Sequence, residues 1–232
     1  MPKITTKELQ PEYRPDEKLL AYGASALSDA ELLAVILRTG STEYNSVELA
    51  RNIISPKEGN DTSILNIFKY DHDELRMING VGKVKALQIQ ALAELSLRIA
   101  QEKARPGLAF NNPDSVAQYY MERMRHEKNE KVLLLLLNSS CSLVKEILLS
   151  TGTVNGSIVS ARDILIYALK YEAVSFILLH NHPSGNPTPS RADILQTENI
   201  SKTAQLAGIL FADHIIIGDN CFYSFKKEET LA

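Results

Sequence analysis

Six consecutive apolar residues, Val132-Leu-Leu-Leu-Leu-Leu137, constrain the fold of this chain more than any other stretch. The run is far shorter than the roughly 20 residues a membrane-spanning helix needs. It is apolar at every position, not at alternate ones, so a strand built from it has to be covered on both faces. Lys131–Leu137 is therefore expected as an inner strand of an α/β sheet, and residues 173–180 read as a second strand. Around them the pattern gives helices at 114–125, 160–171 and 190–207, a turn at 138–142 and a partner strand at 143–149. Late strands at 211–217 and 221–225 flank Gly218-Asp-Asn220, a good hairpin turn.

The first hundred residues read differently. Ser28-Asp-Ala-Glu31 is a capping box opening a helix that Gly40 is expected to end. A second helix fits Ser46–Ile54, and a long one is expected over 84–100. Between the helical part and the α/β part, residues 104–113 hold two prolines, a glycine and two asparagines, a linker composition. The expected organisation is thus two domains: an all-α domain at 1–104, a linker at 105–113 and an α/β domain at 114–232.

Composition sets the outer limits. With 44% hydrophobic and 23% charged residues, the 232-residue chain resembles an ordinary soluble protein. No apolar segment is long enough for a membrane span, and the N-terminus lacks the hydrophobic stretch of a signal peptide. Two cysteines, Cys141 and Cys221, argue for a reducing cytoplasm and against a disulfide framework. Neither lies in a Cys-x-x-Cys pair, so neither is assigned to a metal. Net charge is −3, and neither the part before residue 108 nor the part after it is basic, which weakens any nonspecific grip on nucleic acid.

The chemistry is expected at residues 180–193. His180 and His182 stand two apart at the end of the second apolar run, so on an extended strand their side chains share a face, roughly 7 Å of backbone apart. Asp193 follows after a Pro/Gly-rich loop, at the start of a helical pattern. Two histidines, one carboxylate and an open fourth position suit a catalytic zinc better than a structural one. The same residues also support a plainer reading, in which Ser190 and Asp193 form a helix N-terminal capping box. Three adjacent letters His-Asn-His do not make an HNH nuclease, whose residues are dispersed over a larger element. The carboxylate also stands in the wrong order for the facial triad of iron oxygenases.

The spacing His-x-His, seven residues, Ser, two residues, Asp resembles the signature of the JAMM/MPN+ zinc metalloproteases, with His180, His182, Ser190 and Asp193 each matching. The longer string from His180 to Ser190, with Asp213-His214-Ile-Ile-Ile-Gly218 downstream, is similar to RadC, a bacterial branch of that group. That resemblance implies a JAMM/MPN-like α/β domain with a mixed sheet, a Zn2+ ion on His180, His182 and Asp193, and hydrolysis of amide bonds in a protein or peptide substrate. A zinc-bound water can reach a pKa near 7, and the reaction needs a carboxylate to take and return its proton. Glu130, just before the first apolar strand, matches the glutamate that does this in JAMM proteins, with Glu146 on the neighbouring strand in reserve. Ser190 would donate a hydrogen bond to the carbonyl oxyanion or the water. His214 is read either as an orienting partner for a metal ligand or as a core histidine. His72 and His126 are expected to be exposed.

The resemblance extends to the helical part. Gly80-Val-Gly82-Lys83-Val-Lys85 between two helices resembles a helix-hairpin-helix, whose glycines and helix amides can hold a phosphate. Gly80, Gly82, Lys83 and Lys85 are therefore candidate DNA contacts, and a DNA-repair accessory with a silent metal domain is the alternative function. A metal-dependent nuclease is a weaker one. One departure from the RadC pattern is Ser160-Ala-Arg-Asp163, where a Pro-Arg-Glu-like step is expected.

Overall fold

The structure is a computed structural model, described here for residues 14–55, 62–105, 108–152 and 159–231. The chain divides into two compact units, Met1–Ser96 and Leu97–Ala232. Residues 1–13, where no signal segment was expected, lie outside the described part.

The first unit is helical: α1 (Pro15–Tyr22), α2 (Asp29–Leu37), α3 (Ser46–Ile54), α4 (His72–Met77) and α5 (Lys83–Ala104), the last running on into the second unit's span. Capping boxes open three of them, Ser28 with Glu31, Asn45 with Glu48 and Asp71 with Glu74, each pairing orphan helix amides with a side chain and back. α2 ends earlier than its glycine suggested. Arg38, not Gly40, takes the positive φ of 63° after Leu37. Gly40 is small for a different reason, because a Cβ there would collide with the Tyr44 carbonyl. Leu33, Leu37, Leu49, Ile53, Leu75 and Ile89 close the core of this unit.

The second unit is a five-stranded mixed sheet between helices. Its elements are α6 (Pro113–Met124), β1 (Lys131–Leu137), β2 (Leu143–Thr151), α7 (Ala161–Lys170), β3 (Ser175–Asn181), α8 (Arg191–Leu206), β4 (Leu210–Ile217) and β5 (Phe222–Ser224). The strand order is β2-β1-β3-β4-β5, with β3 and β4 parallel and the other neighbours antiparallel. The uninterrupted apolar run of β1 has the expected cause. Val132, Leu134 and Leu136 pack with residues of α7 and α8, whereas Leu133, Leu135 and Leu137 pack with Val116, Ala117, Tyr120 and Met124 of α6. Both faces are covered, so both sets of side chains are apolar.

One irregularity in this sheet matters for the site. Phe176 pairs with Phe211 but Ile177 pairs with Asp213, so Ala212 is an extra residue in β4. Strand side chains alternate between faces, and one inserted residue reverses the alternation beyond it. Phe211 and His214 consequently face the same side, the α7/α8 side, which is also the side of His180 opposite Val132.

Candidate metal centre

His180 is carried by β3, His182 by the chain just beyond it, and Asp193 by the first turn of α8. Their ligand-bearing atoms converge, all lying within 4.8 Å of one another. His180 Nε2 and His182 Nε2 are 3.1 Å apart; His180 Nε2 is 3.5 Å from Asp193 Oδ1 and His182 Nε2 is 3.5 Å from Asp193 Oδ2. Ligands of a tetrahedral zinc with bonds of about 2.0–2.1 Å stand about 3.3 Å apart. The spacing therefore fits such an ion.

The capping box is also real, so the two readings of Ser190-x-x-Asp193 coexist. Asp193 Oδ2 accepts from the Ser190 amide at 2.6 Å, and Ser190 Oγ accepts from the Asp193 amide at 3.2 Å. The carboxylate is aimed by the helix start at the histidines. Ser190 itself is exposed.

The loop from His182 to Ser190 is tied at several points. The His182 amide donates to Ile217 O, and the Gly185 amide to His182 O, with Gly185 at a φ of 80° that suits glycine. His182 Nδ1 donates to the Asn186 carbonyl at 2.8 Å, which leaves Nε2 directed at the cluster. The Asp219 amide in the β4–β5 turn donates to Gly185 O, and Arg125 reaches Asp219 Oδ1 at 2.7 Å.

Charge in the site is polarised by depth. Burial pushes His180 down to about 4, so this ring is neutral near pH 7. His182 is raised instead, chiefly by its hydrogen bond to Asp193, against the opposing effect of burial. Burial would raise Asp193, but His182 and Ser190 outweigh it and hold the carboxyl well below the usual range. A neutral His180 and an ionised Asp193 are the states a divalent cation requires, whereas the raised His182 binds one only by giving up its proton.

Behind His180 stand residues that periodicity could not show. His180 Nδ1 is 2.9 Å from His214 Nε2, His214 Nδ1 is 2.6 Å from Thr197 Oγ1, and Thr197 Oγ1 is 2.6 Å from the Asp193 carbonyl. His214 is buried, stacked on Phe225 with ring centroids 5.0 Å apart. Asp213 braces this strand, its carboxylate accepting from Ser224 Oγ, the Lys226 amide and the His214 amide. Asn181, between the two histidines, is buried too. Its Oδ1 accepts from the Lys131 amide and its Nδ2 donates to Asn129 O, gripping the backbone on both sides of Glu130.

The two candidate bases fall on different sides. Glu130 is partly buried, two residues before the strand partner of His180, and its charge is near enough to raise His182. Glu146 pairs with Leu135 on the α6 face of the sheet, where it accepts from Tyr120 Oη at 2.8 Å and pairs with Arg123 at 2.6 Å. It faces away from His180, so the reserve assignment is withdrawn. His72 and His126 are not the exposed residues expected. His72 is part-buried beside Gln90, and His126 packs against Glu122 at 3.1 Å with its side chain 14% exposed.

In the helical unit, α4 and α5 flank residues 78–82, with Gly80 at a φ of 94° and Lys83 exposed at the start of α5. Lys85 is spent internally. Its ammonium donates to Gly40 O at 2.7 Å and Gly80 O at 2.9 Å, tying two loops of the unit together.

The sheet order, the converged His-His-Asp group and the sequence agree with what comparison finds. Residues 110–231 match the model of the RadC-like JAB domain, and residues 6–87 match the UPF0758 N-terminal domain. The chain belongs to the RadC-like JAB family. Among similar relatives are UPF0758 proteins of Clostridium botulinum, one from strain Langeland 43% identical over 97% of both chains and one from strain Okra 41% identical over the same shares. A UPF0758 protein of Methanosarcina mazei is 40% identical over 97% of this chain and 96% of its own. The RadC-like JAB domain thus holds every residue of the cluster, and among the described residues no helix is long and apolar enough to cross a membrane.

Proposed function

We propose that the C-terminal unit is a zinc-dependent hydrolase that cleaves amide bonds in protein or peptide substrates. The observation that carries this reading is the convergence of His180 Nε2, His182 Nε2 and Asp193 at a spacing that suits a tetrahedral ion, with Glu130 two residues before the strand partner of His180. A bound zinc supplies Lewis acidity and brings a coordinated water's pKa to about 7. Glu130 would be the carboxylate that takes up a proton at the site and returns one to the leaving amine. Ser190, exposed and hydrogen-bonded to Asp193, would donate a hydrogen bond from its hydroxyl to the developing oxyanion. Asn181 keeps the Glu130 backbone in place, and Asp193 keeps the site's charge negative enough to hold a cation.

The reading is tested with zinc-loaded protein and a panel of peptide and isopeptide substrates. Glu130→Gln should keep the metal and lose turnover, while His180→Ala should lose both. Hydrolysis undiminished in His180→Ala would overturn it.

A DNA-binding role for the helical unit rests on less. Lys83 is exposed, but Lys85 is committed to Gly40 and Gly80, and the unit carries no basic excess. Salt-sensitive duplex binding abolished by Lys83→Glu would favour it. The free, exposed Cys141 and Cys221 fit a reducing compartment, and we assign the protein to the cytoplasm.

A further inference from the structure

The atoms behind His180 admit a single order of protons. The Asp193 carbonyl oxygen can only accept, so at 2.6 Å Thr197 Oγ1 must donate to it; the reverse would press two lone-pair oxygens together. That uses the only proton Thr197 has. The 2.6 Å contact between Thr197 Oγ1 and His214 Nδ1 is then a bond donated by His214. His214 is 2% exposed, and a buried charge with no paired counter-ion is costly, so the ring is neutral and Nε2 keeps its lone pair. His180 Nδ1, 2.9 Å away, donates to that lone pair. A neutral His180 with its proton on Nδ1 offers a bare Nε2, the atom that faces His182 and Asp193.

We propose that Thr197 and His214 are positioning residues that set the tautomer of His180, so that its Nε2 stands ready as a metal donor. The circuit starts and ends on the metal site. The backbone of one ligand, Asp193 on α8, dictates through Thr197 and His214 which nitrogen of another ligand, His180 on β3, is bare. Which imidazole nitrogen binds a metal is generally decided by the bond the other nitrogen makes. Here the acceptor is a second histidine, whose own tautomer would be undetermined without the threonine. The extra residue at Ala212 is what turns His214 toward this face. Asp213 and Phe225 then hold it there. The inference rests on the reading of His180 as a ligand, and it concerns residues outside the His-x-His…Asp set.

The test has two arms. Ring-nitrogen NMR of metal-free wild-type protein should show His180 and His214 both protonated at Nδ1; a His180 protonated at Nε2 would overturn the proposal. Zinc titration of Thr197→Val and Thr197→Ser forms the second arm, since valine keeps the shape and serine keeps the hydroxyl. Thr197→Val should bind zinc about 10- to 100-fold more weakly and Thr197→Ser within about threefold of wild type. Equal affinities for the valine variant and wild type, with the His180 tautomer unchanged, would contradict it. A His180 protonated at Nε2 in protein that still takes up zinc overturns this proposal alone, whereas wild-type protein that takes up no zinc removes the donor role together with the hydrolase reading, whatever the tautomer.

Discussion

The side-chain oxygen of Asn181 accepts a hydrogen bond from the Lys131 amide at 2.8 Å, joining the residue between the two metal-site histidines to the residue after Glu130. The same carboxamide donates to Asn129 O, so the backbone on either side of the candidate base is fixed from β3. Asn181→Ala removes both bonds and leaves a strand-end amide without its partner. The expected cost is about 1–3 kcal/mol of stability. Zinc affinity should change little, because Asn181 is not among the ligand atoms, whereas hydrolysis should fall at least tenfold. Urea unfolding, zinc titration and turnover measured on one preparation check all three.

Glu146 offers the matching control. Its carboxylate serves Tyr120 and Arg123 on the α6 face, where burial and the nearby Glu146 charge raise the Tyr120 phenol far above its ordinary range. Glu146→Gln should lower stability by about 1 kcal/mol through the partly exposed ion pair and leave zinc content and hydrolysis unchanged. Loss of turnover in this variant, with Glu130→Gln active, would reverse the assignment of the base.

Metal affinity should depend on pH through His182. That ring is raised by its bond to Asp193, so protons compete with the cation there first. His180, pushed down to about 4 by burial, joins the competition only in strongly acidic solution. The sign follows directly. Below the His182 pKa, zinc binding displaces one proton, and affinity should fall about tenfold for each pH unit lost; above it, affinity should level off. Calorimetric titrations between pH 5 and 8 read the slope, and a flat profile would contradict it.

Much of this was legible in the chain. The apolar run of β1 announced a sheet covered on both faces, α3 fell at its expected bounds, and the spacing of His180, His182 and Asp193 pointed to one cluster. What periodicity could not supply was which side of the sheet a residue faces once strands pair. Glu130 precedes β1 and Glu146 lies within β2, and only the register of β1 with β2 puts Glu146 on the α6 face. His214 read equally well as a core or an orienting histidine until the extra residue at Ala212 aimed it at His180. Thr197 and Asn181 are ordinary polar letters in the sequence. Their partners lie 17 and 50 residues away, so no local pattern marks them.

The loop bearing His182 depends on a close approach. A Cβ at Gly218 would collide with the Gly185 carbonyl and come within 2.8 Å of Pro187 Cδ. Gly218→Ala should therefore cost about 1–3 kcal/mol and displace the loop, weakening zinc binding along with stability. Denaturant unfolding with and without zinc separates the two effects. Unchanged affinity would show that the loop position does not govern His182.

The central claim is that His180, His182 and Asp193 hold a metal. Elemental analysis of chelator-free wild-type protein beside His180→Ala tests it most directly. The expected result is near one zinc per chain in the wild type and none in the folded variant. No metal in either protein, with both folded alike, would reduce the cluster to a capped structural loop and remove the basis for hydrolysis.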